Sequence, residues 1–273
     1  MRRLSKKNGG IIKEPYRVIR TQFEYLTAAA SGLPFIYEDD QIKSLHFNAS
    51  AIQSLMRKNT PFDLEISYTQ TMMGFLLLQP VPRSILIIGL GGGSLSKYCY
   101  QHFPNCQITT VEIDEQVISL RNEFAIPPDD KRFSIVCADG ANYVAKCRNS
   151  ADVIMLDGYD ADGLPQRLGS QRFYNHCTRA LRDNGVLVAN LLKSDSRMAT
   201  YIGRIRRAFD NKVIKIKPEK DNNKIVYAFK QDRMPQGAEL LDRALDFRIR
   251  LGINFPSMAS QMRASMRSDQ MLA

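Results

Sequence analysis

Tryptophan is absent from the 273 residues, and histidine occurs only three times, at His46, His102 and His176. The three histidines share no ligand spacing, so no metal centre is expected. Cysteine is scarce as well. Cys99, Cys106, Cys137, Cys147 and Cys177 are odd in number and form no C-x-x-C pair, which argues against a disulfide framework or a zinc knuckle and fits a reducing compartment. Long apolar runs are also missing: the stretch 72–78 is far too short to span a bilayer, and the basic start MRRLSKKNGGIIKEPYRVIR lacks the apolar core of a signal peptide. A cytoplasmic protein with no membrane partner is therefore expected.

What is present is a globular composition, 44% hydrophobic and 24% charged, with a formal net charge of +10. Taken whole, that charge suggests a polyanionic partner, but its distribution argues otherwise. Residues 1–20 hold seven basic and one acidic residue, and residues 193–230 hold eleven and four, whereas residues 21–192 hold 14 basic against 18 acidic. The basic excess belongs to an N-terminal arm and the far strands. No Asn-Pro-Pro-Tyr or Pro-Cys element of base-modifying enzymes occurs, so a nucleic-acid substrate is not expected.

Patterning divides the chain into a basic arm (1–20), an N-terminal β-strand unit (21–62), a main domain of alternating strands and helices (63–236) and a C-terminal helix with a Met/Ser/Arg tail (237–273). PFIYEDD, IKSLHF and AIQSLM read as short strands of a small β-hairpin unit. Residues 64–79 carry apolar positions on a helical period, stopped by Pro80 and Pro82. From Ser84 onward SILIIGL, QITTVEID, FSIVCAD, ADVIMLD and GVLVANLL alternate with amphipathic stretches, the signature of βα units in a parallel, doubly wound sheet. NKVIKIKPE and NKIVYAFK flank Asp221-Asn222-Asn223, a hairpin signal. An α/β, Rossmann-like methyltransferase fold follows, its mostly parallel sheet closed by an antiparallel hairpin.

Gly89, Gly91, Gly92 and Gly93 follow the first apolar strand, so backbone can turn tightly there and a ligand can approach without meeting a Cβ. Glu112 closes the next strand 23 residues after Gly89, where a carboxylate can accept from both ribose hydroxyls. Asp139-Gly140 ends the third strand at the same edge, suited to an adenine amino group. These positions describe an adenosine held across the carboxyl ends of the strands. In ADVIMLDGYDADGLP, Asp157 ends the fourth strand and Asp160 lies three residues on, a pair of carboxylates that would attract a cation and could take its proton.

From about Phe35 to Phe229 the chain resembles the spermidine synthase family of polyamine aminopropyltransferases. IYEDDQIKSLHFNASAIQS is similar to the family's N-terminal strands ending in a ligand-binding glutamine, here Gln53. LEISYTQTMM resembles its Asp-Glu-x-x-Tyr-His-Glu helix, with Glu65 and Tyr68 retained. IIGLGGGSL, VEID and ADG match its nucleoside-binding segments, and LDGYDADGLP its Asp-x-x-Asp-Pro loop. The resemblance implies Asp157 as general base, and Asp160, Tyr68 and Gln70 as amine-binding residues. It implies Gln53, Gly89, Gly91, Gly92, Glu112, Asp139, Gly140 and Pro165 around the donor, decarboxylated S-adenosylmethionine or S-adenosylmethionine itself. It also implies a small-molecule amine acceptor and a homodimer. Two positions depart from the pattern: Gly92 stands where the family has its loop carboxylate, and Thr69-Gln70 where it has His-Glu. Loss of the carboxylate at Gly92 favours an alternative reading, a small-molecule methyltransferase on the same fold. A non-catalytic, nucleic-acid-binding relative using the basic arm is the third reading.

Overall fold

The structure, a computed structural model, describes residues 5–7, 10–12, 16–31, 34–48, 51–160, 162–231, 235 and 237–270. At the N-terminus β1 (Ser5–Lys7) and β2 (Gly10–Ile12) pair antiparallel. A four-stranded sheet follows, made of β3 (Arg17–Ile19), β4 (Phe35–Glu38), β5 (Ile42–Asn48) and β6 (Ala51–Arg57) in that order, with α1 (Gln22–Ser31) between the first two. The three strands expected between 34 and 57 are present. Two features go beyond that expectation: Arg17–Ile19, read as part of a free arm, pairs parallel with Phe35–Tyr37, and the helix α1 was not read at all. Ile19 and Phe35 are buried together with Ala28 of α1, so burial of one small cluster fixes both.

The stretch read as a helix over 64–79 is shorter and mixed: α2 (Ser67–Met72) continues as a 3-10 turn, Met73–Leu77. Every residue from 71 to 78 is buried, so packing on all sides, rather than one amphipathic face, sets its conformation.

The main body alternates β7 (Ser84–Ile88), α3 (Ser94–His102), β8 (Gln107–Glu112), α4 (Glu115–Ser119), β9 (Phe133–Cys137), α5 (Gly140–Lys146), β10 (Ala151–Leu156), α6 (Gln171–Ala180), β11 (Leu181–Leu192), α7 (Met198–Ala208), β12 (Val213–Ile216) and β13 (Asn223–Phe229). The strands form one seven-stranded sheet in the order β12-β13-β11-β10-β7-β8-β9. Pairing is parallel from β11 through β9, and β13 runs antiparallel to both β11 and β12. The hairpin closure expected from the sequence is thus in place. Side chains alternate between the two faces, and both faces are buried. Ile85, Ile87, Val153, Met155, Val186 and Val188 enter one cluster, while Leu86, Ile88, Ile154, Leu156, Leu187 and Ala189 enter another. Each large aliphatic side chain so buried contributes roughly 1.5–3 kcal/mol.

Two C-terminal helices, α8 (Gly237–Leu251) and α9 (Phe255–Gln270), cover one face. The segment read as a tail is helical because Phe255, Met258, Ala259 and Met262 fall on one face and are buried in the first cluster.

Candidate active site

Strand order reverses between β7 and β10, and a crevice opens at such a point above the carboxyl ends of the strands. There a cleft of about 220 Å³ lies between the main sheet and the N-terminal sheet, which lends it Gln53 and Ser54 from β6. Gly89, at φ +100°, turns the chain out of β7, and a Cβ there would press on the Asp157 carbonyl. Gly91, at φ +53°, has nothing within 4 Å of the place its Cβ would take, which leaves room for a ligand against backbone. Glu112 ties the end of β8 to this loop. Its Oε2 accepts from the Leu90 amide at 2.9 Å, and its Oε1 accepts from the Ile113 and Asp114 amides at 2.8 and 2.9 Å. Three bonds on a group with about four acceptor positions leave it able to take a further hydroxyl.

Opposite stands Asp157, half-buried at the end of β10. Its Oδ2 accepts from the Tyr68 hydroxyl of α2 at 3.1 Å, and its Oδ1 accepts from Nδ2 of Asn190 at 2.8 Å. Burial raises the carboxyl pKa above the ordinary value, and the Asn190 and Tyr68 hydrogen bonds offset part of that rise. Burial and the facing Asp157 charge push the Tyr68 phenol upward, so it stays a donor at neutral pH. Tyr159 buttresses the same corner: its hydroxyl donates to the Asn190 carbonyl at 2.7 Å and accepts from the Leu192 amide at 3.2 Å. Asp160 is exposed at the cleft mouth, its backbone bridged to Gly163 and its Oδ1 accepting from the Asp162 amide at 2.9 Å.

Seven residues singled out in the sequence line this cleft together: Gln53, Tyr68, Gly89, Gly91, Glu112, Asp157 and Asp160. The others stand elsewhere. The Gln70 amide donates back to the Leu64 carbonyl at 2.6 Å. Gly92 faces Ser54 and Phe124: the Ser54 Oγ is 2.5 Å and the Phe124 ring 2.9 Å from where a Cβ would sit, so two neighbouring side chains already fill that space. Asp139 caps α5 by accepting from the Asn142 amide and pairs with Arg167, both at 2.8 Å. Gly140 packs against Ile88, and the Pro165 carbonyl accepts from Leu168 and Gly169 in a turn.

Sequence reasoning missed Ser54, Ser94, Asp114 and Asn190. The hydroxyls of Ser54 and Ser94 are 3.1 Å apart on the cleft wall. Asn190 had a legible signal, a single polar residue inside the apolar run 186–192. Among the described residues no group of three or more His, Cys, Asp or Glu side chains is placed to hold a metal ion, and no helix is long and apolar enough to cross a membrane.

A sheet of this order with its one reversed strand, and a nucleoside-sized cleft over the carboxyl ends of β7 and β8, define a transferase of the S-adenosylmethionine-dependent methyltransferase fold. Human methyltransferase-like protein 13, solved in complex with SAH, shares that fold at 25% identity and TM-score 0.62, over 68% of this chain and 93% of its own. More particularly, the spermine/spermidine synthase domain profile matches residues 65–213. The polyamine aminopropyltransferase of Neisseria meningitidis serogroup A is 34% identical over 93% of this chain and 95% of its own. The chain belongs to the spermine/spermidine synthase family. A spermidine synthase solved with the transition-state analogue AdoDATO matches at 25% identity and TM-score 0.56, over 73% of this chain and 74% of its own.

Proposed function

We propose that this enzyme transfers the aminopropyl group of decarboxylated S-adenosylmethionine to a small amine in polyamine biosynthesis, within a catalytic body at 63–236 roofed by the N-terminal sheet. The observation that carries the reading is the charge of the cleft. Glu112, Asp114, Asp157 and Asp160 line it, and among the described residues that line it there is no Lys, Arg or His. A sulfonium donor and a protonated amine are both cations and both suit such a wall. S-adenosylmethionine carries an extra carboxylate that would find only like charge here.

In this reading Glu112 accepts from a ribose hydroxyl, with the nucleoside lying over Gly89 and Gly91. An alkylammonium has no lone pair, so the acceptor must first lose a proton, and Asp157, held in place by Tyr68 and Asn190, receives it. The free amine then attacks the aminopropyl carbon bonded to sulfur. A C–N bond forms, the C–S bond breaks, and methylthioadenosine leaves with the sulfur electron pair. Since the sulfonium is already a good leaving group, alignment supplies much of the acceleration. Asp160 at the mouth meets the far ammonium of a diamine.

Gly92 is the observation favouring methyl transfer, because no carboxylate at that position selects the decarboxylated donor. The two readings separate in one assay with each donor and a diamine. We expect methylthioadenosine release with the decarboxylated donor, dependent on amine. S-adenosylhomocysteine formation with turnover confined to the carboxylated donor would sink the aminopropyl reading. A cytoplasmic homodimer is the setting this reading takes, and light scattering on the purified protein checks the subunit count.

A further inference from the structure

A hairpin turn needs only to reverse the chain, yet the turn between β12 and β13, together with Asn223 that opens β13, makes four contacts with the scaffold of the cleft. The Lys220 amide donates to the Ser67 hydroxyl at 3.2 Å, and Oδ2 of Asp221 accepts from the Tyr68 amide at 2.6 Å. The Asn222 carbonyl accepts from the Lys193 amide at 3.3 Å, and Nδ2 of Asn223 donates to Oδ1 of Asn190 at 2.8 Å. Asn190 in turn donates to Asp157 at 2.8 Å, and Tyr68 donates to the same carboxylate at 3.1 Å. Asp221 in the turn and Asn223 at its exit into β13 thus reach, along separate paths, both donors that grip Asp157.

The chemistry of the second path is directional. The two ends of a carboxamide have nearly the same shape, so Asn190, only 2% exposed, could fit its slot either way round. With its oxygen toward Asp157 it would set lone pairs against lone pairs. Asn223 offers a donor to that oxygen and so turns the Asn190 NH2 toward the carboxylate. On the first path, Asp221 takes one of the amides that the start of α2 leaves without a helical partner. Ile66, which precedes the helix, makes no side-chain cap of its own. Asp221 therefore fixes the turn of backbone from which the Tyr68 phenol projects.

We propose that the β12–β13 turn is a positioning element for the reaction, with Asn223 orienting Asn190, and Asp221 orienting Tyr68, on Asp157. This rests on the reading of Asp157 as the base. The titratable and charged groups around Asp157 are Tyr68 on α2, Tyr159 and Asp160 on its own loop, Glu112 and Asp114 at the end of β8, and Asp221 on the turn itself.

The test reads the Asp157 carboxyl directly. In full-length protein labelled with 13C at aspartate carboxyls, the Asp157 signal is assigned by its loss in Asp157→Asn and titrated in wild type, Asn223→Asp and Asn223→Ala. Asn223→Asp offers Asn190 only acceptors, so the amide turns away from Asp157. The midpoint should rise by about half a pH unit or more, less in Asn223→Ala, since removing a donor to a carboxylate raises its pKa. The acid limb of the pH profile of kcat should move with it, while KM for the donor stays put. Asp221→Ala should lower kcat, and Asp221→Asn, which keeps an acceptor oxygen, should restore it. Unmoved midpoints in both Asn223 variants, with melting temperatures preserved, overturn the proposal. If either Asn223 variant does not fold, the Asp221 pair decides, equal kcat in both forms counting against the role of the turn. A wild-type enzyme without aminopropyl transfer overturns the functional reading instead, and the NMR titration still decides the positioning.

Discussion

Asp157 sets chemistry against stability. Its carboxyl holds a proton to higher pH in the folded chain than in the unfolded one, because burial disfavours the anion. A raised folded pKa favours the fold fully below the unfolded value, and that advantage is lost as pH rises through the folded value. At neutral pH the charged side chain therefore burdens the fold. Asp157→Asn is expected to lower kcat by roughly 10²–10⁴-fold, the range for a missing general base, while raising the melting temperature at pH 7. The stability gain should shrink toward pH 4, and calorimetric melts at the two pH values check it. Lys97 is a second buried ionisable group, 1% exposed, with Nζ donating to the Phe124 carbonyl at 2.7 Å and lying 3.2 Å from the Met56 sulfur. Burial pulls its pKa down to about 8. Here the sign is opposite: the depressed group contributes stability above the unfolded value, and this is lost as pH falls through about 8. Lys97→Met keeps the length and removes the charge. It should stabilise the protein by about 2 kcal/mol at pH 7, after allowing for the lost hydrogen bond, with little gain above pH 10; chemical unfolding at both pH values measures it.

Among elements, the turn after β7 and the helix α7 make a controlled comparison, since each contains a glycine that alanine can replace. Gly89 sits at φ +100° with the Asp157 backbone against its missing Cβ, whereas Gly203 in α7 has ordinary helical geometry and nothing within 4 Å. Gly89→Ala should cost about 3 kcal/mol and abolish methylthioadenosine binding; Gly203→Ala should add about 0.5–1 kcal/mol and leave binding unchanged. Both are read from melting curves and calorimetric titration. The legibility of the elements follows the same local logic. Strands such as 84–88 and 151–156 were readable because a strand covered on both faces is apolar without a break, and Gly89 and Glu112 because they end such runs. By contrast, α9 was misread as a tail: its buried Phe255, Met258, Ala259 and Met262 are diluted among Ser, Gln and Arg, and only the surface they cover shows that they face a core. Asp221 meets Tyr68 across 153 residues, a contact that no local pattern encodes. The site was therefore legible where it is made of strand ends, and hidden where it is made of side chains brought together by the whole sheet.

At the scale of the whole molecule, a chain of net charge +10 surrounds a cleft whose charged lining, among the described residues, is four carboxylates. The two fields have different ranges. The excess of positive charge comes from residues 1–20 and 193–230, and acts on an approaching amine over the dimensions of the molecule. The carboxylates act within the cleft, over distances comparable to the screening length of about 10 Å at 0.1 M salt. Which field governs capture is decided by the sign of the salt dependence. If local attraction dominates, as the lining implies, added salt weakens it, and KM for a dicationic amine should rise several-fold between about 0.05 and 0.5 M KCl, where the screening length falls from roughly 14 to 4 Å. A KM that falls over the same range would mean that the positive body repels the acceptor and that the cleft charge is spent elsewhere. Methylthioadenosine, which is neutral, serves as the internal control: its Kd should barely move with salt, so a parallel change in both ligands would report a conformational effect of salt rather than the field in the cleft.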